Sequence, residues 1–431
     1  MEKVYMHSMG CTENLLDAQK YYDFLVLNDY EMTEVVEEAD IIVLITCGVT
    51  SYVSDECCSV FDTLVNTKRS DARMFVGGCL PVIEQEKVKK FNATFFRSNN
   101  GDVSTLAEAI GMKNYKWTEE KYGHQFYSGI GNIERKKGAV SEPKGLMKKL
   151  VDYEKAMEPA YVALGLEPSD YFHQITEEHY NRAYFVHVAR GCGGNCTYCA
   201  IKFVKGDIVS KDIATIKQEV EKGISEGYKD IVLAGDDVGS YGRDLGVDFY
   251  ALMMELNKIE ADIKITVRNF EPFWFVHNRE KMSEILAGGK IRTINIPIQS
   301  GNNEVLARMG RRYTVDVVME GVEALKELFP DVIFSTHIMV GFPGETVEQF
   351  EETLKTIEKG SFDFLRYSMY TERPNTPASK MEDKISYVQK AQRMNQLEQM
   401  VCKLEKLKSE KQIKCMQEKI SKTLGEIIYG E

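Results

Sequence analysis

The sequence contains no run of eighteen apolar residues, so no segment reads as a membrane-spanning helix. Its first residues, Met1-Glu2-Lys3-Val4-Tyr5, enter a strand-like run without the long apolar core of a signal peptide. These two absences set the expectation of a cytoplasmic protein with no membrane partner. Excess positive charge is also missing. Lys and Arg total 54 against 66 Asp and Glu, a net charge of −12. That excludes a broadly basic nucleic-acid coat, although not a local basic patch. There is no internal repeat and no low-complexity tract. With 43% apolar and 28% charged residues the composition is that of a globular protein. At roughly 100–200 residues per domain, 431 residues make two or three domains.

Cysteine is plentiful. The ten stand at positions 11, 47, 57, 58, 79, 192, 196, 199, 402 and 415. In a reducing compartment they are not expected to form disulfides. Metal binding or catalysis is the leading reading for those that cluster.

Three zones follow from the hydrophobic pattern. In residues 1–130, short apolar runs at 3–8, 40–46 and 73–76 alternate with helical spacing. The helix at 14–27 carries Leu15, Ala18, Tyr22 and Leu25 on one face. The pattern predicts an open parallel α/β sheet. Residues 131–182 read as a helical linker or insert, with charged helical stretches at 146–163 and 169–180. Residues 183–385 alternate again, with six apolar runs at 183–188, 230–234, 263–267, 293–298, 332–339 and 364–369. Helices between them, such as 213–224 and 347–358, make six βα units. The expectation is a partial (β/α)6 TIM-like barrel with its chemistry at the carboxyl ends of the strands. The charged segment 386–431 reads as a helical tail, with Met394, Leu397, Val401, Leu404 and Leu407 forming a packing stripe.

The first barrel strand leads into Gly191-Cys192-Gly193-Gly194-Asn195-Cys196-Thr197-Tyr198-Cys199. Three close thiolates on one loop can hold three irons of a four-iron cluster and leave the fourth open to a small molecule. A structural zinc site wants four ligands, and no fourth Cys or His lies close by in the sequence. In the first zone, Cys11, Cys47 and Cys79 each follow a strand. Ligands gather at that edge of an open parallel sheet. These three look like a second cluster with its own open iron. Cys57, Cys58, Cys402 and Cys415 read as packing or surface thiols.

The C-x3-C-x2-C spacing resembles the radical S-adenosylmethionine (SAM) superfamily. The two triplets together resemble its methylthiotransferase family. That likeness rests also on Ser8-Met9-Gly10-Cys11-Thr12-Glu13-Asn14, Thr46-Cys47-Gly48-Val49, Gly78-Cys79-Leu80 and Gly239-Ser240-Tyr241-Gly242-Arg243-Asp244-Leu245. It extends through Arg308-Met309-Gly310-Arg311-Arg312-Tyr313-Thr314, Gly341-Phe342-Pro343-Gly344-Glu345-Thr346 and Thr371-Glu372-Arg373-Pro374-Asn375-Thr376-Pro377-Ala378. The resemblance implies two [4Fe-4S] clusters and SAM. It makes Cys192, Cys196 and Cys199 ligands of the SAM cluster, and Cys11, Cys47 and Cys79 ligands of the auxiliary one. It implies SAM contacts at Tyr198, at Gly235, Asp236 and Asp237, at Gln299 and Ser300, and at Gly341 and Gly344. The implied reaction replaces hydrogen on an unactivated carbon with a methylthio group. The implied partners are a protein or peptide, or alternatively a modified adenosine in tRNA, with a sulfur source and an electron donor such as flavodoxin or ferredoxin.

The chain departs from the family in places. The small TRAM β-barrel that typically ends tRNA-acting and ribosome-acting members is not expected here. His337 stands where an acidic residue is usual, and Lys205-Gly206 where Arg-Gly is common. Without that module and with net −12, the reading leans to a polypeptide substrate, since phosphate affinity comes from Lys and Arg. Gln299-Ser300-Gly301 pulls the other way by resembling the tRNA-modifying branches. Arg308, Arg311, Arg312 and Arg373 are a candidate phosphate patch or solvated charge. Two further readings are a radical SAM enzyme whose auxiliary cluster only carries electrons, and a metal-stabilised binding module.

Overall fold

The computed structural model describes residues 1–97, 102–117 and 183–404. The expected helices at 146–163 and 169–180, and the tail beyond residue 404 with Leu407 and Cys415, lie outside the described residues.

Two parallel sheets organise the described chain. The first has the order β2-β1-β3-β4-β5, formed by Lys3–Ser8 (β1), Glu31–Thr33 (β2), Ile41–Thr46 (β3), Arg73–Gly78 (β4) and Thr94–Phe95 (β5). Strand β3 is buried at every position, as its unbroken Ile-Ile-Val-Leu-Ile-Thr run requires of a strand covered on both faces. The helices Thr12–Leu27 and Ser51–Thr67 return the chain between parallel strands.

The second sheet joins Ala183–Arg190 (β6), Val209–Ser210 (β7), Asp230–Gly235 (β8), Lys264–Val267 (β9), Ile291–Asn295 (β10), Ile333–Val340 (β11) and Phe364–Met369 (β12). Its order is β12-β11-β10-β9-β8-β6-β7. Six strands run parallel in chain order, as in the expected partial barrel, and β7 pairs antiparallel on the edge of β6. The fourth long strand is shorter than its apolar run. It ends at Asn295 because Pro297 has no N–H for the ladder and Gln299 sits in the left-handed region at φ 68°. The tail packs as expected over its described part, with Leu397 and Val401 buried against the barrel. Its Arg393 pairs with buried Glu345.

The helix Thr12–Leu27 corrects a sequence expectation. Tyr22 is only half-buried, while Tyr21 and Phe24 are fully buried. Ala18, Tyr21, Phe24 and Leu25 pack on the first sheet. Leu15 and Leu16 pack instead on Ala183 and Phe185 of β6 and on Val232 and Ala234 of β8. The helix is wedged between the two sheets, so its polar side is buried too: Glu13, Asn14, Asp17, Gln19 and Lys20 are all enclosed. A single-face reading cannot see this, because the second covering comes from about 170 residues downstream.

Leu16 is fully enclosed in that junction. Leu16→Ala should cost about 2–5 kcal/mol of unfolding free energy, the range for a leucine deleted from a packed core. Denaturant unfolding measures it; a loss within about 0.5 kcal/mol, typical of a surface substitution, would contradict the wedge.

Candidate functional site

Each triplet is built at the carboxyl edge of its sheet. In the first sheet, Cys11 precedes the helix Thr12–Leu27, Cys47 follows β3, and Cys79 follows β4. Gly10, at φ 101°, carries the chain past Cys47; a Cβ there would lie 2.8 Å from Cys47 Sγ. Gly78, at φ 91°, turns against the Thr46 backbone, and the Cys79 N–H donates to Thr46 O at 2.8 Å. Asn14 holds the two loops, donating to Met9 O and Thr46 O at 3.1 and 3.0 Å. Its Oδ1 lies 3.7 Å from Cys79 Sγ. The three thiols lie within electrostatic reach of one another.

The second triplet wraps tightly after β6. The Gly194 N–H donates to Cys192 Sγ at 3.3 Å, and a Cβ at Gly194 would lie 3.2 Å from that sulfur. Thr197 pins the loop, its N–H donating to Met309 O at 2.9 Å and its hydroxyl to Arg308 O at 2.8 Å. The Tyr198 hydroxyl accepts from Arg311 at 2.5 Å, and Arg311 is held in turn by Glu271 at 3.1 Å.

A short helix follows the final cysteine of each triplet, Leu80–Ile83 after Cys79 and Ile201–Lys205 after Cys199 and Ala200, and these helices touch. Cys79 and Ile83 pack directly on Ala200 and Val204. Asp236, at the end of β8, is within reach of both Cys79 and Cys199. The two triplets therefore border one recess between the sheets. Cys11 is exposed, and Cys192, Cys196 and Cys199 are half-buried.

The walls of the recess carry buried charge. Lys205 Nζ lies 2.7 Å from Asp17, Arg190 lies 3.5 Å from Asp17, and His187 Nε2 lies 2.6 Å from Glu13. Burial alone would lift Asp17, but Lys205 and Arg190 hold its carboxyl below the usual range. Burial raises Asp236, with Lys205 opposing the shift and Glu13 adding to it. Asp236 accepts from the Gly191 N–H at 2.9 Å. Asp237 accepts from Trp274 Nε1 at 3.0 Å, and burial pushes its carboxyl up to about 6.

The thiols fit an iron–sulfur core. Burial pushes Cys192 up to about 12, and raises Cys47, Cys79 and Cys199 as well. Left alone, such thiols stay protonated; a cationic core draws them out as thiolates. Among the described residues no three His, Cys, Asp or Glu side chains are gathered tightly enough for a single ion. A four-iron cube instead spreads its thiolates over separate corners.

The other sequence-predicted residues lie around the barrel mouth. Gly235 leaves space beside Ala189 O, where a Cβ would come to 2.8 Å. Gln299 is pinned at its strained turn by backbone bonds to His337 and Met339, both 2.8 Å. Ser300 turns its hydroxyl to Thr353 at 3.3 Å. Gly341 and Gly344 have φ 76° and 75°; a Cβ on Gly341 would meet Lys390 of the tail, and one on Gly344 would approach Arg308.

The arginine patch does not form. Arg308 bonds Gln349, Arg311 bonds Tyr198 and Glu271, and Arg373 is buried against Gly48, Ser54 and Glu84. Arg312 alone of the four is exposed, lying 3.9 Å over the Phe273 ring. Sequence reading also missed Cys57, which is more than a packing thiol. Its sulfur accepts from the Cys47 N–H at 3.3 Å and so backs the loop that carries Cys47. Its helical position gave no signal of that contact. The Lys205 departure was visible, but its burial against Asp17 was not.

A family model described as the radical SAM superfamily matches residues 186–357, and one described as the uncharacterized protein family UPF0004 matches residues 3–96. The ribosomal protein uS12 methylthiotransferase of Chlamydia abortus is 27% identical over 406 residues, covering 92% of this chain and 78% of its own. The tRNA-2-methylthio-N(6)-dimethylallyladenosine synthase of Bacillus subtilis is 29% identical over 436 residues, covering 100% and 76%. The radical SAM methyltransferase TsrM from Kitasatospora setae superposes with a TM-score of 0.57 at 15% identity, covering 88% and 77%. That last likeness is one of fold.

Two predictions follow from this geometry. Chemical assay should find about eight irons per chain with matching acid-labile sulfide, falling to about four in Cys11/Cys47/Cys79→Ala; zinc without sulfide would contradict the assignment. The second concerns His337, whose Nδ1 lies 3.0 Å from Gln299 Oε1 and whose Nε2 lies 3.1 Å from Ser368 Oγ. Burial, then Arg366 and Arg311, lowers its pKa to about 4. The unfolded chain takes up that proton near 6.5, the folded chain only near 4, so stability is lost as pH falls through this window. Unfolding measured at pH 7, 6 and 5 should show a shallower loss in His337→Gln; an unchanged slope would contradict it.

Proposed function

We propose that this chain, which belongs to the radical SAM methylthiotransferases, replaces hydrogen on an unactivated carbon of a polypeptide residue with a methylthio group. The observation that carries the reading is the pair of cysteine triplets bordering one recess. When bound, the clusters and SAM supply the radical that removes the hydrogen and the methylated sulfur that takes its place. The protein's share is to position and enclose. Cys192, Cys196 and Cys199 would hold the cluster that binds SAM, and Cys11, Cys47 and Cys79 the sulfur-carrying one. Tyr198, fixed by Arg311, lines the SAM side, and Asp236 and Asp237 offer acceptors for an ammonium group. The docked sheets exclude water from a species that solvent would quench. They also hold the target C–H close to both centres.

We assign residues 1–130 to the auxiliary-cluster domain, 131–182 to a linker or substrate grip, 183–385 to the radical-forming barrel and 386–431 to a helical tail. The polypeptide choice rests on charge. Arg308, Arg311 and Arg373 are committed internally, so they offer little to a phosphate backbone. The work is assigned to the cytoplasm, with a small reduced electron carrier such as flavodoxin or ferredoxin and an external sulfur source.

Mass spectrometry of cellular proteins and tRNA, with and without this chain, tests the assignment. The expected result is a methylthio group in place of hydrogen on one polypeptide residue, dependent on the chain. The same gain on a tRNA adenosine alone would overturn the substrate class. With SAM, reductant and sulfide, the purified chain should also release methanethiol; none at all would leave the auxiliary cluster as an electron carrier.

A further inference from the structure

The loop after β12 touches both triplets at once. At its start, Arg373 reaches from the barrel into the first sheet's domain. Its guanidinium donates to Gly48 O at 3.0 Å, one residue beyond Cys47, and to Ser54 Oγ at 3.3 Å. It also pairs with Glu84, which accepts from the Ser54 hydroxyl at 2.7 Å. Gly48 is packed on the Leu80 backbone, so the same anchor bears on the turn that follows Cys79. Five residues later, the Ala378 N–H donates to Thr197 O at 2.9 Å, inside the second triplet loop. Arg373 and Ala378 are both buried.

The segment between these anchors is stiff. Thr376 Oγ1 donates to Arg373 O at 2.8 Å, and the Ser379 hydroxyl donates to Thr376 O at 2.6 Å. Pro374 and Pro377 fix two φ angles. Asn375 takes φ 64°, a region that asparagine tolerates better than most side chains. A short rigid segment with one end on each cysteine loop transmits the position of one loop to the other.

We propose that residues 373–378 form a strap that sets the spacing between the two cluster loops, with Arg373 as its positioning residue in the N-terminal domain. The proposal rests on the reading that both triplets hold clusters. The guanidinium suits the role because its planar fork reaches a carbonyl, a hydroxyl and a carboxylate together, which a lysine cannot do.

The test compares iron release from the reconstituted holoenzyme to a chelator, followed with the EPR signals of the reduced clusters. The signal that SAM perturbs marks the 192–199 cluster. In Arg373→Met, the other cluster should lose iron at least tenfold faster, and any spin–spin broadening between the two signals should fall. Arg373→Lys should recover part of the effect. Thr376→Val, which only loosens the strap, should fall between Arg373→Met and wild type. Leu106→Ala, a core change in the same domain, serves as the control for lost stability and should speed release from that cluster much less than Arg373→Met at an equal loss of unfolding free energy. Wild-type release from Arg373→Met, or equal acceleration of both clusters as general destabilisation gives, would overturn the strap. A wild-type chain with only about four irons would instead refute the two-cluster reading, and the strap with it.

Discussion

The structure depends on one contact, that between the helix Leu80–Ile83 and the helix Ile201–Lys205. Each begins where a cysteine triplet ends. Packing Cys79 and Ile83 on Ala200 and Val204 brings the carboxyl edge of an open sheet against the carboxyl edge of a barrel. Both edges are where parallel α/β folds collect ligands. Joined, they bring the two cysteine triplets to one junction, and the rest of the interface keeps them joined.

That interface is charged as well as apolar. Glu13 and Asp17 of the helix Thr12–Leu27 meet His187, Arg190 and Lys205 across the junction, and Asp236 stands beside Lys205 on the barrel side. Removing one partner of a buried pair costs about 3–5 kcal/mol, while the intact pair adds little over an apolar contact. Such groups select one docking arrangement rather than adding stability. Lys205 has a further effect, since its charge lies close to Cys79 and opposes the burial that keeps that thiol protonated. The same economy explains the arginines. In a chain of net charge −12, three of the four that resemble a phosphate patch in the sequence, Arg308, Arg311 and Arg373, are used in internal contacts.

Much of the architecture was legible because its signal is local. The unbroken apolar run of β3 and the regular βα spacing from β6 to β12 required no partner to be read. The cysteines at strand ends followed from those strands. What escaped was of two kinds. Strands β2, β5 and β7 are two or three residues long, too short for a period. The others depend on distant residues. The polar face of Thr12–Leu27 reads as solvent-facing until the barrel covers it. Arg373 reads as loose charge until Glu84, 289 positions away, accepts it. The packing of Lys390 of the tail on Gly341 is another contact that the local sequence does not show.

Anomalous diffraction at the iron edge, from anaerobic crystals of the reconstituted chain, tests the central claim most directly. The account predicts two separate iron centres, one ringed by Cys11, Cys47 and Cys79 and one by Cys192, Cys196 and Cys199, both opening on the recess between the sheets. Iron at the second triplet alone, or two centres facing different sides of the molecule, would contradict it.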